Sequence, residues 1–384
     1  MRVIDPPFWQ GRRVLLTGHT GFKGSWLALW LSQMGARVYG LALPAEPVSL
    51  FNQARIAELV DHTEGDIRDM AVVEAAVARA RPEVVFHLAA QPLVRASYAQ
   101  PVETFATNVQ GTVHVLDACR RVGGLQAVVC VTSDKAYENR EWAWPYRECD
   151  PMGGHDPYSA SKGAAELVIA AYRRSYFHRP DGPLIASARA GNVIGGGDWA
   201  ADRLVPDIIR ALARGEVPFI RNPRAIRPWQ HVLEALNGYL HLAEALAQGE
   251  LWAAEGWNFG PAQDDARPVS WLADRLTKGW GAPGWEAPPA DAVAALHEAG
   301  VLMLDCSKAR ARLGWQPVWG LDEALGRIVE WHAEVHAGGD ARIISECQLA
   351  AYRAALARAR RAGRAPAGTP RRRSAARSPI VAIP

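Results

Sequence analysis

The chain has few cysteines and no long apolar run, and each shortage excludes a class of protein. Its five cysteines are widely scattered and show no C-x-x-C spacing, so neither a disulfide framework nor a zinc knuckle is expected. No uninterrupted apolar stretch approaches the length that crosses a bilayer, and residues 1–13 lack the apolar segment of a signal peptide. We therefore expect a cytoplasmic protein with reduced thiols and no metal site.

Lysine is scarce as well, with five lysines against 38 arginines, and positive charge is concentrated at the C-terminal end. Residues 341–384 hold ten arginines and one acid, Glu346, so the rest of the chain is mildly acidic. The stretch Ala362 to Pro384, rich in Arg, Ala, Pro and Ser, is expected to be disordered because it offers little apolar surface. No nucleic-acid motif accompanies Arg371-Arg372-Arg373, which favours a solvated tail over a partner such as nucleic acid or a membrane.

In the first half, short apolar runs alternate with helical patterns. The predicted strands are Arg13 to Thr17, Arg37 to Ala42, Val84 to Ala89, Ala127 to Thr132 and Leu184 to Ala188. The predicted helices are Gly24 to Met34, Met70 to Arg81, Val102 to Val122 and Tyr158 to Phe177. This alternation predicts an α/β fold with a Rossmann-like, doubly wound parallel sheet, which binds ligands beyond the C-terminal strand ends.

After about Gly191 the pattern loosens. Helices are predicted at Leu204 to Arg214, His231 to Gln248, Ser270 to Trp280 and Leu321 to Ala337, and Trp257 to Gly260 is predicted to return as a strand to the main sheet. With 384 residues and 49% hydrophobic composition, the chain exceeds one typical domain. We predict a Rossmann domain over residues 1–190, a smaller mixed α/β substrate lobe over 191–340, and an arginine- and alanine-rich tail over 341–384.

A glycine-rich turn, Thr17 to Gly24, follows the first predicted strand with the spacing T-G-x-x-G-x-x-G. The glycines permit a tight turn and a close approach to a pyrophosphate, and the following helix offers free N–H donors. This position favours a dinucleotide site over a plain tight turn. NAD is preferred to NADP, although Val38 to Leu43 does not end in the acid that grips an adenosine 2′-hydroxyl. The candidate cofactor-binding residues are Gly18, Thr20, Gly21, Phe22, Gly24, Asp66, Ile67, Leu88, Ala89, Ala90, Asn108, Thr132, Tyr158 and Lys162.

Tyr158 and Lys162 are four residues apart in a predicted helix and share one face. A nearby lysine cation favours the phenolate, so the tyrosine pKa is expected to be lowered and the side chain can take a proton from a sugar hydroxyl. The spacing also occurs by chance. Here Asp156-Pro157 precedes it and Gly163 follows it.

The triplet Ser133-Asp134-Lys135 follows the predicted strand Ala127 to Thr132. Asp134 and Lys135 could form a plain surface pair. Because neighbouring residues of a strand point to opposite faces, the triplet must bend out of the strand if both are to enter one site. An acid and an amine there would suit an elimination.

These motifs resemble the extended short-chain dehydrogenase/reductase family, and within it the CDP-glucose 4,6-dehydratases. The similar segments reach to about Glu334, and they are Thr17 to Leu27, Ala89 to Tyr98, Val131 to Asn139, Tyr146 to Glu166, Arg189 to Asp202 and Arg224 to Val232. The strings Thr132 to Asn139 and Met152 to Ser159 are especially specific. Related dTDP-glucose dehydratases have a glutamate at the position of Lys135, so this lysine favours the CDP-sugar branch.

The resemblance implies a redox-neutral lyase reaction on bound NAD that yields a 4-keto-6-deoxy sugar. Tyr158 deprotonates the C4 hydroxyl while hydride passes to NAD⁺, and Ser133 helps to hold that oxygen. A base, for which Lys135 is the candidate, removes the C5 proton, the C6 hydroxyl leaves with a proton from Asp134, and the hydride returns to C6. These roles require a raised pKa for Asp134 and a lowered one for Lys135.

The expected substrate contacts are Gln91, Ser97, Asn192, Arg203, Arg224 and Arg227. Arg227 is the best candidate for the diphosphate, whereas Arg224 could instead extend its stem over a helix entrance. Asn108 is expected to order a water or a backbone carbonyl near Lys162. Nothing in the spacing identifies cytosine, which rests on the resemblance alone.

Two other functions stay open. A sugar-nucleotide 4-epimerase needs Tyr158, Lys162 and Ser133 but has no elimination for Asp134 to serve. A non-catalytic NAD-binding regulator would have no chemical need for that set. Extended relatives commonly pair through two long helices, so a homodimer or a dimer of dimers is expected through Val102 to Val122 and Tyr158 to Phe177.

Overall fold

The computed structural model describes residues 4–179, 182–262, 265–288 and 301–364. The strands in these ranges are β1 (Arg13–Thr17), β2 (Arg37–Ala42), β3 (Asp61–Glu64), β4 (Val84–His87), β5 (Ala127–Val131), β6 (Leu184–Ala190), β7 (Asn192–Ile194), β8 (Ile226–His231), β9 (Gly256–Phe259) and β10 (Ala266–Pro268). The helices are α1 (Pro6–Trp9), α2 (Phe22–Gln33), α3 (Leu50–Gln53), α4 (Met70–Ala80), α5 (Val94–Ala99), α6 (Pro101–Phe105), α7 (Gly111–Cys119), α8 (Pro157–Ser175), α9 (Leu204–Ala213), α10 (Val232–Ala247), α11 (Val269–Trp280), α12 (Leu321–His336) and α13 (Ala341–Arg364).

Seven parallel strands form the main sheet in the order β3-β2-β1-β4-β5-β6-β9. A smaller mixed sheet has the order β10-β8-β7, in which β7 runs parallel to β8 and β10 runs antiparallel to it. The Rossmann-like fold class is therefore confirmed. The predicted return of Trp257 to the main sheet is also confirmed, because β9 pairs with β6 through Ala188 and Trp257. Strand β3 was not predicted, since its sequence Asp61–Glu64 is polar.

Both faces of the main sheet are covered, which explains the continuous apolar strands. Alternate residues of a strand point to opposite faces, so Leu16 and Phe86 join one core cluster with α2 and α10, while Leu15 and Val85 join another with α4 and α7. Burying each such side chain contributes roughly 1.5–3 kcal/mol. A third cluster lies in the second half of the chain, among α9, α11 and α12. The strand ends that carry the motifs are thereby held rigidly.

The C-terminal helix α13 corrects the expectation of a simple tail after residue 340. Leu349, Tyr352 and Leu356 are buried in the main core, and Tyr352 packs edge-on against Trp30 of α2. Their helical spacing forms an apolar stripe that the many arginines obscured. The predicted disorder falls mostly on residues 365–384, which lie outside the described residues. Among the described helices, α13 included, none is both long and apolar enough to span a membrane.

The predicted helix Val102 to Val122 is interrupted. It consists of α6, a π-helical turn at Ala106–Gln110, and α7, which ends at Cys119. A π turn inserts one extra residue per turn and often marks a functional position. Here it carries Asn108, whose side chain is buried.

Candidate active site

A cavity of about 520 Å³ opens at the C-terminal ends of β1, β4, β5 and β6. On one side it is lined by the glycine-rich turn and the strand ends, and on the other by β7, the start of α9 and the approach to β8. This is the edge at which doubly wound sheets bind their ligands. The predicted residues that line it are Gly18, Thr20, Gly21, Phe22, Gly24, Asp66, Ile67, Leu88, Ala89, Ala90, Thr132, Ser133, Asp134, Lys135, Tyr158, Lys162, Asn192, Arg203 and Arg227.

The glycine-rich turn is packed so closely against backbone atoms that two of its positions require glycine. Gly18 has φ +77°, and a Cβ there would lie 2.7 Å from the backbone nitrogen of Ala89. A Cβ on Gly24 would lie 2.1 Å from the carbonyl oxygen of Gly18. Helix α2 begins at Phe22 without a side-chain cap from Gly21. Its first backbone N–H groups can therefore donate hydrogen bonds to phosphate oxygens. The residues present therefore fit a dinucleotide pyrophosphate.

The other predicted cofactor contacts lie along the neighbouring strand ends. Asp66 accepts hydrogen bonds from Arg68, including one of 2.8 Å from Nε, and this contact holds the pKa of Asp66 below its usual value although burial opposes the shift. Leu43 follows β2 and is exposed beside the cavity. An aliphatic side chain there offers no acceptor for a ribose 2′-hydroxyl, as the sequence indicated.

The triplet does bend out of the strand. Strand β5 ends at Val131, and Ser133 caps a short 3₁₀ turn, Asp134–Ala136, by accepting a hydrogen bond of 3.2 Å from the backbone N–H of Lys135. Asp134 and Lys135 consequently both line the cavity. The bend arises from the serine cap and needs no glycine.

Asp134 is placed as a proton donor would be. Its side chain is buried, its Oδ1 accepts a 3.0 Å hydrogen bond from Ser133 Oγ, and its Oδ2 has no partner among the described contacts. Burial raises the pKa of Asp134, while the charges of Lys135 and Arg227 and the Ser133 hydrogen bond oppose the rise. The direction is the one that an acid needs if it is to hold a proton near neutral pH.

Tyr158 and Lys162 are both buried on the first turns of α8, which Asp156 caps through a 2.9 Å bond from the N–H of Ser159. Burial raises the pKa of Tyr158 to about 12, and the Ser133 hydroxyl and Arg203 oppose the rise only in part. The expected lowering of this pKa is therefore wrong for the structure described here. The reason is that removing the phenolate from water outweighs the neighbouring cations. Burial also lowers the pKa of Lys162 to about 8, against the charge of Glu166.

Three predicted ligand contacts, Asn108, Gln91 and Ser97, do not line the cavity, and their side chains form hydrogen bonds within the protein. Asn108 Nδ2 donates to the carbonyl oxygen of Gln91 at 3.1 Å and to Ser161 Oγ at 2.9 Å, while its Oδ1 accepts from the N–H of Gln91. The Gln91 amide is engaged by Leu93 and Thr104. Asn108 thus orders the backbone carbonyl of Gln91 and contacts Ser161, the residue before Lys162, and its own side chain does not line the cavity.

Ser97 is likewise fully buried away from the cavity. Its Oγ accepts a 3.1 Å bond from the N–H of Tyr158 and donates a 2.6 Å bond to the carbonyl oxygen of Val94. The Ser97 hydroxyl thus uses its proton and an oxygen lone pair in hydrogen bonds to the backbone. The predicted sugar contact is corrected: Ser97 positions the backbone of Tyr158. The sequence resemblance could not separate these roles, because both lie on the same segment.

On the opposite wall, Arg227 is buried in β8, and its charge acts on Asp134. Arg203 is held by Asp198 at 3.0 Å, and Asn192 lies in β7 opposite Trp229. Arg224 is exposed in the turn before β8 and does not line the cavity. The alternative of a solvent-facing arginine therefore describes Arg224 better than the predicted substrate contact does.

A family model described as GDP-mannose 4,6 dehydratase matches residues 15–328. The chain belongs to this family. It is 53% identical over 362 residues to the CDP-glucose 4,6-dehydratase of Salmonella typhimurium, a match that covers 93% of this chain and all of that protein. It is 28% identical to the dTDP-glucose 4,6-dehydratase of Streptomyces antibioticus, covering 84% of this chain and 92% of the relative.

Solved structures agree with the dehydratase family assignment. DesIV, a dTDP-glucose 4,6-dehydratase from Streptomyces venezuelae solved with NAD and TYD bound, superposes with a TM-score of 0.73 at 25% identity, covering 85% of this chain and 99% of that one. The epimerase Mth375 from Methanothermobacter thermautotrophicus also reaches a TM-score of 0.73, covering 86% and 94% of the two chains. Its 24% identity supports the fold alone.

Two residues of this dehydratase-family site were missed from the sequence. Lys23 occupies a variable position of the glycine-rich turn and lines the cavity, and burial followed by the charges of Arg203 and Lys162 lowers its pKa to about 8. Glu166, one turn after Lys162 on α8, accepts hydrogen bonds from Thr132, Ser187 and Arg189. The i,i+4 spacing of Lys162 and Glu166 was the signal that could have found the second.

The histidines include one helical pair that the expectation of no metal overlooked. His332 and His336 are four residues apart on α12, but His332 packs between Trp331 and Trp199, and His336 packs near Trp280. Burial lowers the pKa of His332 to about 3. Across the described part of the chain, no group of three or more metal-ligating side chains is present.

Proposed function

We propose that this protein converts CDP-glucose into CDP-4-keto-6-deoxyglucose and water, with NAD retained through turnover. The observation that carries the proposal is the convergence of Tyr158, Ser133, Asp134 and Lys135 on one cavity, opposite the buried Arg227. A pair of side chains for alcohol oxidation and a pair for elimination then act on the same sugar. The 53% identity to a CDP-glucose 4,6-dehydratase supports the substrate.

The chain's own residues account for the proton movements of the first step. Tyr158 takes the proton of the C4 hydroxyl, and the Ser133 hydroxyl helps to hold that oxygen. The charge of Arg203 favours the phenolate form of Tyr158. Arg203 lines the same cavity as Lys162 and Lys23. When bound along the glycine-rich turn, NAD supplies the redox chemistry by taking a hydride from C4 and returning it to C6.

The elimination step uses the triplet. A 4-keto group acidifies the C5 proton, which Lys135 removes, and Asp134 protonates the departing C6 hydroxyl, so that one water leaves. Burial raises the pKa of Asp134, which is the direction that favours its role as the proton donor of this step. Lys135 and Asp134 lie on the same turn and line the same cavity, so a base and an acid are available to adjacent carbons of one sugar whose diphosphate binds Arg227. A 4-epimerase would have no use for a buried acid at this position.

The experiment compares purified wild-type protein with CDP-, dTDP-, GDP- and UDP-glucose and then tests Asp134→Asn. We expect a 4-keto-6-deoxy product from CDP-glucose. General acid catalysis contributes about 10²- to 10⁴-fold, so Asp134→Asn should lose product formation by that factor while still forming reduced nicotinamide on the enzyme. Asp322→Asn, an exposed carboxylate paired with Arg275, is the matched control. Undiminished turnover by Asp134→Asn would contradict the elimination role, and a C4 epimer as the product would indicate the epimerase.

We also propose that the protein acts as a homodimer in the cytoplasm, with a Rossmann domain over residues 1–190 and a substrate lobe over 191–340. Helix α6 exposes Val102 and Phe105, and α8, which packs against it, exposes Leu167. Apolar side chains on two packed helices form a surface suited to a second copy. The five free thiols suit a reducing compartment. Light scattering of the purified protein tests the dimer, and a monomeric mass would overturn it.

A further inference from the structure

The cavity extends beyond the residues that the proposed reaction uses. Its far end, here called the distal pocket, is formed by the first turn of α9 and by the segment before β8, and it is lined by Leu204, Asp207, Ile208, Phe219, Arg221 and Asn222. Arg203 and Arg227 influence Tyr158 and Asp134 electrostatically. Asp207 instead accepts a hydrogen bond from Arg210, and its pKa responds to burial and to the charges of Arg210, Arg221 and Asp202. The distal pocket thus belongs to the same cavity as Arg203 and Arg227 and is lined by residues to which the proposed reaction assigns no role.

The walls of the distal pocket suit a flat ring. Phe219 lines the cavity and yet keeps 59% of its side chain exposed, which is unusual for a phenylalanine. Leu204 and Ile208 lie on the first turn of α9 and belong to the packing of the substrate lobe. An aromatic and two aliphatic side chains that line one cavity suit a planar heteroaromatic ring.

The polar groups of the distal pocket differ in how many of their hydrogen-bonding atoms already have a described partner. Asp207 Oδ1 accepts a hydrogen bond from Arg210, one turn along α9, whereas no partner is described for Oδ2. Arg221 is held by Asp202 at 3.2 Å, and Asp202 also receives Arg95 at 3.0 Å. The side chain of Asn222 has no described hydrogen bond. The pocket thus offers one free carboxylate acceptor together with amide and guanidinium donors.

We propose that the distal pocket binds the nucleobase of the substrate and that Asp207 selects a 4-aminopyrimidine, cytosine, over the 4-oxopyrimidines uracil and thymine. This inference rests on the proposed function. Cytosine presents a 4-amino donor beside two acceptors, which complements one carboxylate oxygen and the donors of Arg221 or Asn222. A 4-oxopyrimidine would place a carbonyl oxygen against the carboxylate and leave both without a proton to share. A contact of this kind discriminates by about 10- to 100-fold.

The test measures kcat/KM with CDP-glucose and UDP-glucose for wild type and Asp207→Asn. Asparagine keeps one oxygen for Arg210 and presents an NH₂ group where Oδ2 was, which can donate to O4 of uracil. We expect the CDP-glucose to UDP-glucose ratio to fall by at least about 10-fold, with kcat/KM for UDP-glucose unchanged or higher. Competition by free CDP and UDP, which lack the reacting sugar, should show the same shift. A ratio within twofold of wild type would overturn the inference.

Two control variants separate base reading from local damage. Glu216→Gln changes an exposed carboxylate paired with Arg214 just after α9, and it should leave the ratio unchanged. Arg210→Gln removes the hydrogen-bond partner of Asp207 but keeps the carboxylate in the cavity lining, so it should lower the ratio less than Asp207→Asn does. If the wild-type protein does not use CDP-glucose, the proposed function is wrong. If the wild-type protein is active and Asp207→Asn leaves the CDP-glucose to UDP-glucose ratio unchanged, only this inference is refuted.

Discussion

Replacing Glu166 by glutamine should destabilise the protein far more than an ordinary carboxylate-to-amide change. Glu166 is a buried residue of α8, and its two oxygens accept four hydrogen bonds, from Thr132, Ser187 and twice from Arg189. The pair with Arg189 is bidentate, at 2.9 and 2.8 Å. Although burial alone would raise it, the pKa of Glu166 is lowered by Arg189, and that of Arg189 is raised in return. Both groups are therefore charged in the folded protein.

The magnitude follows from what glutamine cannot supply. Its single oxygen serves at most two of the four donors, and its NH₂ group then faces an N–H of Arg189 or the hydroxyl of Ser187. Arg189 keeps its bond of 2.7 Å to the Tyr137 hydroxyl but loses its counter-charge. Breaking a buried ion pair from one side costs about 3–5 kcal/mol because the remaining charge stays buried. We expect a loss of this size in the free energy of unfolding.

Urea unfolding followed by tryptophan fluorescence measures the effect, with Glu323→Gln as the control. Glu323 pairs with Arg327 at 2.9 Å on the exposed face of α12, so its loss should cost less than about 1 kcal/mol. The two variants make the same chemical change to an Arg–Glu pair and differ in burial. If Glu166→Gln lost no more stability than Glu323→Gln, the reasoning from burial would be refuted.

Two further changes test the fold around the site. Burial raises the pKa of Glu234 to about 7, against its bonds from Tyr352 and Trp319. The pKa of Glu234 in the folded protein thus exceeds its ordinary value of 4.5. The contribution of Glu234 to the free energy of unfolding is therefore complete below about pH 4.5 and is lost as the pH rises through 7, a decrease of about 3 kcal/mol. Urea unfolding at pH 5 and 8.5 should show this slope in wild type and not in Glu234→Gln, and equal slopes would contradict it. Gly24→Ala should abolish NAD binding in a calorimetric titration, because its Cβ would lie 2.1 Å from the carbonyl oxygen of Gly18; wild-type affinity would show that the turn can relax.

Features set by short-range sequence were predicted well. The T-G-x-x-G-x-x-G turn was recognised because glycine spacing follows a strand directly, and the structure needs glycine at Gly18 and Gly24 for steric reasons. The bend at Ser133 was also predicted, since a polar triplet at a strand end cannot place two neighbours in one site otherwise. Both features depend on a few consecutive residues.

Features that depend on packing between distant segments were not predicted. Gln91 and Ser97 were expected to contact the sugar, but their side chains are engaged by the backbone of nearby loops and of Tyr158. Helix α13 was missed because its apolar stripe finds Trp30 only in three dimensions. The pKa of Tyr158 was predicted in the wrong direction, because helical pairing with Lys162 is visible in sequence and burial is not.

Ser133 links the two halves of the proposed reaction, and its hydrogen-bond capacity constrains their order. A hydroxyl has one proton to donate, and here that proton goes to Asp134 Oδ1 while the oxygen accepts the N–H of Lys135. The same hydroxyl also opposes the rise in the pKa of Tyr158. When Asp134 is protonated it needs less donation from Ser133, so the serine proton becomes available to the C4 oxygen. Ser133 can therefore donate to the C4 oxygen only when it no longer donates to Asp134, and this one side chain links the two halves of the proposed reaction.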